Sequence, residues 1–249
     1  MTGRPRGRAS GWLRFRTAVV DRLVALVLAP VLAPLIAVLG WKVKQEDGGP
    51  RLIGLARVGR AGRSFSMWKL RSMRAERTDG AATGSVITAT DDDRITTIGA
   101  TMRRWRLDEL PQVWNVVRGD MGLLGPRPET PTMVDVDDPR WAAVLAVRPG
   151  VSGPTQLVVE RWEAAVMLGD SAAEHYRDEI LPTKLAIDRW YVERATPVTD
   201  VQVVCSMVER FVLGRAETWI ERVVRAEVPE AGAVPVEGRE APDDALSRT

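Results

Sequence analysis

The chain has 249 residues, 35 Lys and Arg against 33 Asp and Glu, a formal net charge of +2 and 45% apolar residues. That is enough apolar material for a packed core in one or two domains. A lone cysteine, Cys205, and a lone histidine, His175, exclude an intrachain disulfide framework and argue against a Cys/His metal site. Cys205 falls in an apolar helical pattern and reads as core filler, while His175 reads as a surface or cap residue. The small net charge hides an uneven distribution. Arg51, Arg57, Arg60, Arg63, Lys69, Arg71, Arg74 and Arg77 face one nearby acid, Glu76, whereas the C-terminal end is acid-rich. Local basicity of this kind suits phosphates, whether of nucleotides, nucleic acid or lipid headgroups.

Residues 1–17 form a basic segment, and the apolar run 23–41 follows. As a straight helix that run would reach ~28 Å, close to the ~30 Å hydrocarbon core of a bilayer. Ala29-Pro30 and Ala33-Pro34 interrupt it, each proline costing ~3 kcal/mol in a regular helix. Its flanks are basic on both sides, with Arg4, Arg6, Arg8, Arg14, Arg16 and Arg22 before it and Lys42 and Lys44 after. The positive-inside tendency then holds both ends in the cytoplasm. A re-entrant helix-break-helix over 18–42, with Trp12 and Trp41 at the headgroup level, satisfies both facts. A bent single crossing, a cleaved signal peptide and a buried soluble helix are the alternatives.

Further along, 51–58 reads as a short strand, 59–63 as a turn and 64–73 as a second strand. Residues 78–89, rich in Gly, Ala, Ser and Thr, read as a mobile loop. Helices are expected over 96–106, 108–118, 134–147, 164–168, 172–193 and 200–213. In 108–118, Leu110, Val113, Trp114 and Val117 share a face and Gly119 ends the helix. In 200–213 the apolar face is Val201, Val204, Val208, Phe211 and Val212. Residues 215–227 are amphipathic and suit a membrane surface or a core equally. The stretch 226–249 reads as a disordered acidic tail. The fold class is α+β: a membrane helix, then a mostly helical domain over 43–225 with a small β element and interfacial helices.

The chemistry centres on Asp108-Glu109. With Asp108 as N-cap, Pro111 falls in the first turn, where a missing N–H costs nothing. A carboxylate at that end of a helix stays ionised, and free N–H groups there can hold a phosphate. One place could thus hold a carboxylate nucleophile and its phosphorylated target. Mg²⁺ would shield the two anions from each other, with Asp108 as a candidate ligand. Glu109 could act as a general base, although an Asp-Glu pair at a helix start is also a common cap. The arginines favour catalysis: Pro126 and Pro128 stiffen the chain around Arg127, Arg148-Pro149-Gly150 repeats the device, Arg103 precedes the pair, and Lys69 and Arg71 lie on the second strand.

Several stretches occur in a fixed order: 65–73 (Phe-Ser-Met-Trp-Lys-Leu-Arg-Ser-Met), 93–96, Leu107-Asp108-Glu109-Leu110-Pro111-Gln112 with Val113-Trp114-Asn115-Val116, Gly119-Asp120-Met121, Gly125-Pro126-Arg127-Pro128-Glu129 and 147–153. Together with Asp188 to Val192 and the proline-broken apolar helix, this set resembles the bacterial sugar transferases, the monotopic phosphoglycosyl transferases, over about residues 14 to 212. The resemblance implies transfer of a sugar-1-phosphate from a nucleotide diphosphate sugar, usually a UDP-sugar, to a polyprenyl phosphate, with release of UMP. It implies Asp108 as covalent nucleophile, Glu109 as base or orienter, a requirement for Mg²⁺, and Arg103 and Arg127 as phosphate ligands. It places the enzyme on the cytoplasmic face of the bacterial inner membrane, where a homodimer is allowed and nucleic acid is not a partner. Ala29-Pro30 stands where relatives have Ser-Pro, and Pro154 and Glu160-Arg161 depart from the family pattern; these departures bear on sugar preference more than on chemistry. A silent membrane scaffold and a tethered nucleic-acid binder are the competing readings, to be separated by UMP release and by salt-sensitive binding.

Overall fold

The computed structural model describes residues 11–74, 94–166 and 172–235. The expected mobile loop over 78–89, the acidic end beyond 235 and the basic residues before 11 lie outside these. The chain opens with α1 (Gly11–Phe15), a π turn (Arg16–Val20) and α2 (Asp21–Asp47), which ends at Gly48 in the left-handed conformation. The hairpin β1 (Leu52–Val58) and β2 (Ser64–Leu70) follows, with Ile53 opposite Lys69, Leu55 opposite Met67 and Arg57 opposite Phe65. Then come α3 (Thr97–Arg104), α4 (Gln112–Arg118), β3 (Gly122–Leu124) and β4 (Gly150–Ser152), the last two paired in parallel. The remainder is helical: α5 (Pro154–Val166), α6 (Ala172–His175), α7 (Leu181–Arg194), α8 (Pro197–Phe211), α9 (Trp219–Glu227) and α10 (Pro229–Gly232). The α+β class therefore holds, with two small two-stranded sheets.

The apolar α2 carries Pro30 and Pro34, the site of the expected re-entrant bend, within its span. It is long and apolar enough to cross a membrane. One stripe, Ala25, Ala29, Leu39 and Val43, is buried. Ala25 and Ala29 pack with Val113 and Val116 of α4 and Met67 of β2, and small side chains let the backbones approach. The other face is bare: Val27 and Val31 are 70% and 67% exposed, and Leu23, Leu26, Val38 and Trp41 are exposed beside them. An apolar strip of this extent on a water-soluble surface would be a liability, which marks it as a membrane or partner face.

Upstream, Leu13 joins the main core. Arg16, read from the sequence as a flanking charge, is buried. Its Nη1 donates to Asp200 Oδ2 at 2.5 Å and to the Tyr191 hydroxyl at 2.7 Å. These bonds explain why α8 is turned opposite to expectation. Asp200, Val203 and Ser206 face inward, while Val201, Val204, Val208, Phe211 and Val212 face out. Cys205 is exposed, not core.

Other elements also depart from expectation. Residues 134–147 form turns and one 3-10 turn (Pro139–Trp141), just after another at Pro131–Met133, not a helix. Asp135 and Asp138 accept from the backbone N–H two residues on (3.0 and 2.9 Å), local bonds that compete with helix formation, and Pro139 opens the second turn. The helix expected from 164 begins at Pro154, where the Gly-Pro pair is a helix start with Pro in the first turn. Residues 228–235 are folded, because Val228, Ala231 and Val234 recur at helical spacing and are buried against the core. Ile220 and Val224 of α9 are likewise core residues, which decides between the two readings of that helix.

Candidate functional site

Four elements bring the site together. The face of the hairpin that carries Phe65, Met67 and Lys69 also carries their cross-strand partners Arg57, Leu55 and Ile53. Met67, Leu55 and Phe65 pack on α2 and α4, and Lys69 extends beyond them. Asn115, fully buried, sews α4 to this hairpin: its Nδ2 donates to the Ser66 carbonyl (2.8 Å) and its Oδ1 accepts from the Trp68 N–H (3.0 Å). Its carbonyl accepts from Gly119, Asp120 and Met121 and so closes the end of α4. Gly119 is there left-handed (φ +83°), as its place in the sequence predicts.

Asp108 is not the N-cap of a helix. Leu107–Glu109 is a 3-10 turn, and α4 starts only at Gln112, after Pro111. The turn is entered through Arg106 in the left-handed region (φ +53°), a conformation that costs a non-glycine residue ~1–2 kcal/mol. This reversal faces both carboxylates toward Lys69. The inward side of α4 is Gln112, Val113, Asn115 and Val116, and Trp114 is half exposed, contrary to the expected face. Gln112 is fully buried, with both amide atoms lacking a protein partner among the described residues, one turn beyond Asp108.

Arg127 arrives on the loop after β3. Gly125 and Gly150 touch backbone to backbone: Gly125 N–H donates to Ser152 and Gly150 N–H to Pro126. A Cβ on Gly150 would lie 2.1 Å from Gly125 N, so the two glycines of the Gly-Pro-Arg-Pro and Arg-Pro-Gly motifs are a steric requirement. Glu129, two residues on, accepts from Tyr176 at 2.8 Å and pairs with Lys184 at 2.5 Å, which fastens this loop to α7 and the turn before it.

The two adjacent carboxylates occupy unlike environments. Glu109 is locked: Arg127 grips both its oxygens (2.6 and 3.2 Å), Lys69 donates to Oε1 at 2.9 Å, and Arg106 lies 3.8 Å away. Burial alone would raise its pKa, but the charges of Arg127, Lys69 and Arg106 outweigh that and hold the carboxyl well below the usual range. A carboxylate so held is a poor proton acceptor and a good clamp. Asp108, 6% exposed, makes a single side-chain contact among the described residues, Lys69 Nζ at 3.5 Å. Arg57, on the same hairpin face, is close enough to feel the charges of Glu129, Arg127 and Glu109. Arg106 also pairs with Glu160 and lies over the Phe211 ring at 5.1 Å. Neither arginine stands out in the sequence; the period of two along β1 is the signal that points to Arg57.

Of the expected site residues, Lys69, Asp108, Glu109 and Arg127 are brought together. Arg103 donates to Ser72 Oγ at 2.9 Å. Arg71 is a structural residue: it is buried, holds both oxygens of Asp47 at the end of α2, and donates to the carbonyls of Pro50 (2.7 Å) and Met73 (3.3 Å). All three guanidinium nitrogens are thereby engaged within the fold. Arg148 points away from the carboxylates, to the Thr17 carbonyl at 3.1 Å. Among the described residues no three acidic, His or Cys side chains converge on one point. Mg²⁺, however, is commonly held by one or two carboxylates together with ligand phosphates and water. Asp108 fits that role, and Glu109, with both oxygens on Arg127, does not.

Comparison with known proteins gives a consistent picture. Residues 12–214 match the family model described as bacterial sugar transferase. The chain is 39% identical over 142 residues to UDP-N-acetylgalactosamine-undecaprenyl-phosphate N-acetylgalactosaminephosphotransferase of Aeromonas hydrophila, covering 56% of this chain and 33% of that one. It is 38% identical over 145 residues to UDP-glucose:undecaprenyl-phosphate glucose-1-phosphate transferase of Caulobacter vibrioides (57% and 53%). It is 28% identical over 207 residues to the exopolysaccharide production protein ExoY of Sinorhizobium fredii (78% and 84%). The matches to the first two thus span about half or less of those relatives' own length.

Proposed function

The chain belongs to the bacterial sugar transferase family, and on that premise we propose that it moves a sugar-1-phosphate from a nucleotide diphosphate sugar, a UDP-sugar, to a polyprenyl phosphate. The observation that carries the reading is the division of labour between neighbours: Glu109 clamped by Arg127 and Lys69, Asp108 left with one long contact. Two carboxylates whose surroundings set them apart serve different roles.

In the first half-reaction a carboxylate oxygen of Asp108 attacks the sugar-bearing phosphorus. A new O–P bond forms, the bond to the nucleotide phosphate breaks, and UMP departs with that electron pair. In the second, a phosphate oxygen of the polyprenyl phosphate attacks the same phosphorus and the Asp108 carboxylate leaves. An ionised phosphate needs little help from a base, so Glu109 serves to aim Arg127 and Lys69 at phosphate oxygens, with Arg57 and Arg106 adding positive field. Mg²⁺ held by Asp108 and the diphosphate would reduce the repulsion between attacking and attacked anions. The bare faces of α2 and α8 suit a membrane. The re-entrant geometry on the cytoplasmic face follows from the basic flanks of the apolar run and puts the lipid phosphate and the cytosolic donor at one level.

The test is trapping. Incubation with a UDP-sugar and no lipid should add the mass of one sugar phosphate to a peptide containing Asp108, with stoichiometric UMP, and Asp108→Asn should show neither. Turnover by Asp108→Asn at the wild-type rate would overturn the assignment.

A further inference from the structure

A second cationic site lies apart from the carboxylates. A cavity of about 180 Å³ is lined by Arg14, Thr17, Arg60, Val147 and Arg148, among others, and no acidic residue lines it. It shares no residue with the Lys69, Asp108, Glu109 and Arg127 cluster. Among the described residues, none of its three guanidinium groups is paired with a carboxylate. Arg148 is fixed through one N–H on the Thr17 carbonyl, which leaves its other donors for something else. Burial, and then the like charges of Arg22 and Arg60, disfavour the charged form of Arg148, with Asp120 and Asp21 opposing more weakly. Arg22, which does not line the cavity, carries a buried Nε that no protein group accepts among the described residues. Guanidinium groups with donors to spare and no carboxylate in ion-pair contact are well suited to gripping a phosphate.

Position narrows the source. Arg14, Thr17 and Ala18 lie in the turns just before α2, whose exposed apolar face begins at Leu23. Thr17 lies six positions before Leu23, ~9 Å along a helix axis. A headgroup layer is ~5–8 Å deep on each side of the hydrocarbon, so with α2 in a bilayer the cavity lies on the headgroup side of the apolar face, near that layer's outer edge. Phe15 and Val19, on the same turns, are exposed and apolar.

We propose that the cavity between the pre-α2 turns and the Arg148 loop is a phosphate-binding site, separate from the reaction centre, occupied by the headgroup phosphate of an anionic membrane lipid. It requires α2 to lie in a bilayer but not that Asp108 be a nucleophile.

The experiment is native mass spectrometry of the full chain in detergent, titrated separately with short-chain phosphatidylglycerol, phosphatidylcholine and inorganic phosphate. Wild type should retain phosphatidylglycerol in preference to phosphatidylcholine. Arg60→Gln with Arg148→Gln should weaken retention about tenfold or more, the worth of one hydrogen bond to a charged group. A charge-matched control, Arg63→Gln with Arg118→Gln, should not. Arg60→Gln alone, at an exposed position, covers the case in which the double variant misfolds and should show a smaller loss of the same sign. Inorganic phosphate binding with the same arginine dependence and displacing the lipid would support the site with free phosphate as its occupant. Equal retention of both lipids, or equal retention by the double variant and its control, would overturn it.

Discussion

Glu109→Gln separates a clamp from a base. In the wild type the carboxylate binds a bidentate guanidinium and an ammonium at hydrogen-bond distance, and its side chain is 10% exposed. Removing one partner of such a buried pair costs ~3–5 kcal/mol, because the other charge is left without compensation. Arg127 and Lys69 retain some exposure, so the lower end, about 3 kcal/mol, is expected at pH 7. The sign of the pH dependence follows from the depressed pKa. The carboxylate's contribution is complete above the unfolded value of 4.5 and declines as pH falls below it toward the folded value. At pH 4 the unfolded chain is already largely protonated there, and the gap between wild type and Glu109→Gln should shrink by ~0.8 kcal/mol.

Denaturant unfolding of both proteins in the same micelle, at pH 7 and pH 4, reads this difference directly. The trapping assay then reads function. A clamp predicts that Glu109→Gln still forms the Asp108 adduct, more slowly, and still passes it to lipid. A base required for the second step predicts an adduct that accumulates and is not discharged. Equal stability at pH 7 together with blocked discharge would refute the clamp, and a gap that widens at pH 4 would refute the electrostatic argument on its own.

Other outcomes follow from single contacts. Asp188, fully buried beside Thr155, has its carboxyl pushed up from 3.8 to about 7, chiefly by burial. At ~1.4 kcal/mol per tenfold change in proton affinity, that is ~4 kcal/mol of stability held at low pH and lost as pH climbs from about 4 through about 7. Asp188→Asn should therefore be close to wild type at about pH 3, below the unfolded value, and more stable at pH 8, as thermal melts at the two pH values would record. Arg71→Gln should lower stability by ~3 kcal/mol by stranding Asp47, with the KM for donor nearly unchanged in whatever folds; a large rise in KM alone would return Arg71 to the binding site. Gly150→Ala should displace the Arg127 loop, since its Cβ meets Gly125 backbone at 2.1 Å; it should cut the adduct-forming rate more than overpacking costs of ~1–3 kcal/mol in stability would suggest. A wild-type rate of adduct formation would show that the loop has another way to seat Arg127.

What the sequence discloses is uneven for physical reasons. The hairpin was legible because alternation and a Gly-Arg-Ala-Gly turn are local signals. Lys69, Asp108, Glu109 and Arg127 were legible as chemistry because their motifs carry unusual residue types in a fixed order. Arg71 and Arg148 stand away from the carboxylate pair, and the sequence does not show it, because a charge on a basic strand or between proline and valine looks the same whether it faces a ligand, Asp47 or the Thr17 carbonyl. The orientation of α8 was the hardest to read. Its valines form the better apolar stripe, but Asp200 has Arg16 and Tyr191 to bind, and 184 and 9 residues respectively separate it from them. Periodicity identifies a two-sided helix and does not say which side faces the core.

The apolar helix is more than a tether. Ala25 and Ala29 of α2 pack against Val113 and Val116, the inward residues of the helix that directly follows Asp108 and Glu109. Arg71 fastens the far end of α2 to the strand that carries Lys69. The approach of Lys69 to the carboxylates therefore depends on where α2 sits. The helix with the exposed apolar face is thus joined, through Ala25 and Ala29 on Val113 and Val116, to the element that follows the carboxylates. A shift of α4 against β2 would have to break the two Asn115 hydrogen bonds that hold the helix after the carboxylates to the strand that carries Lys69.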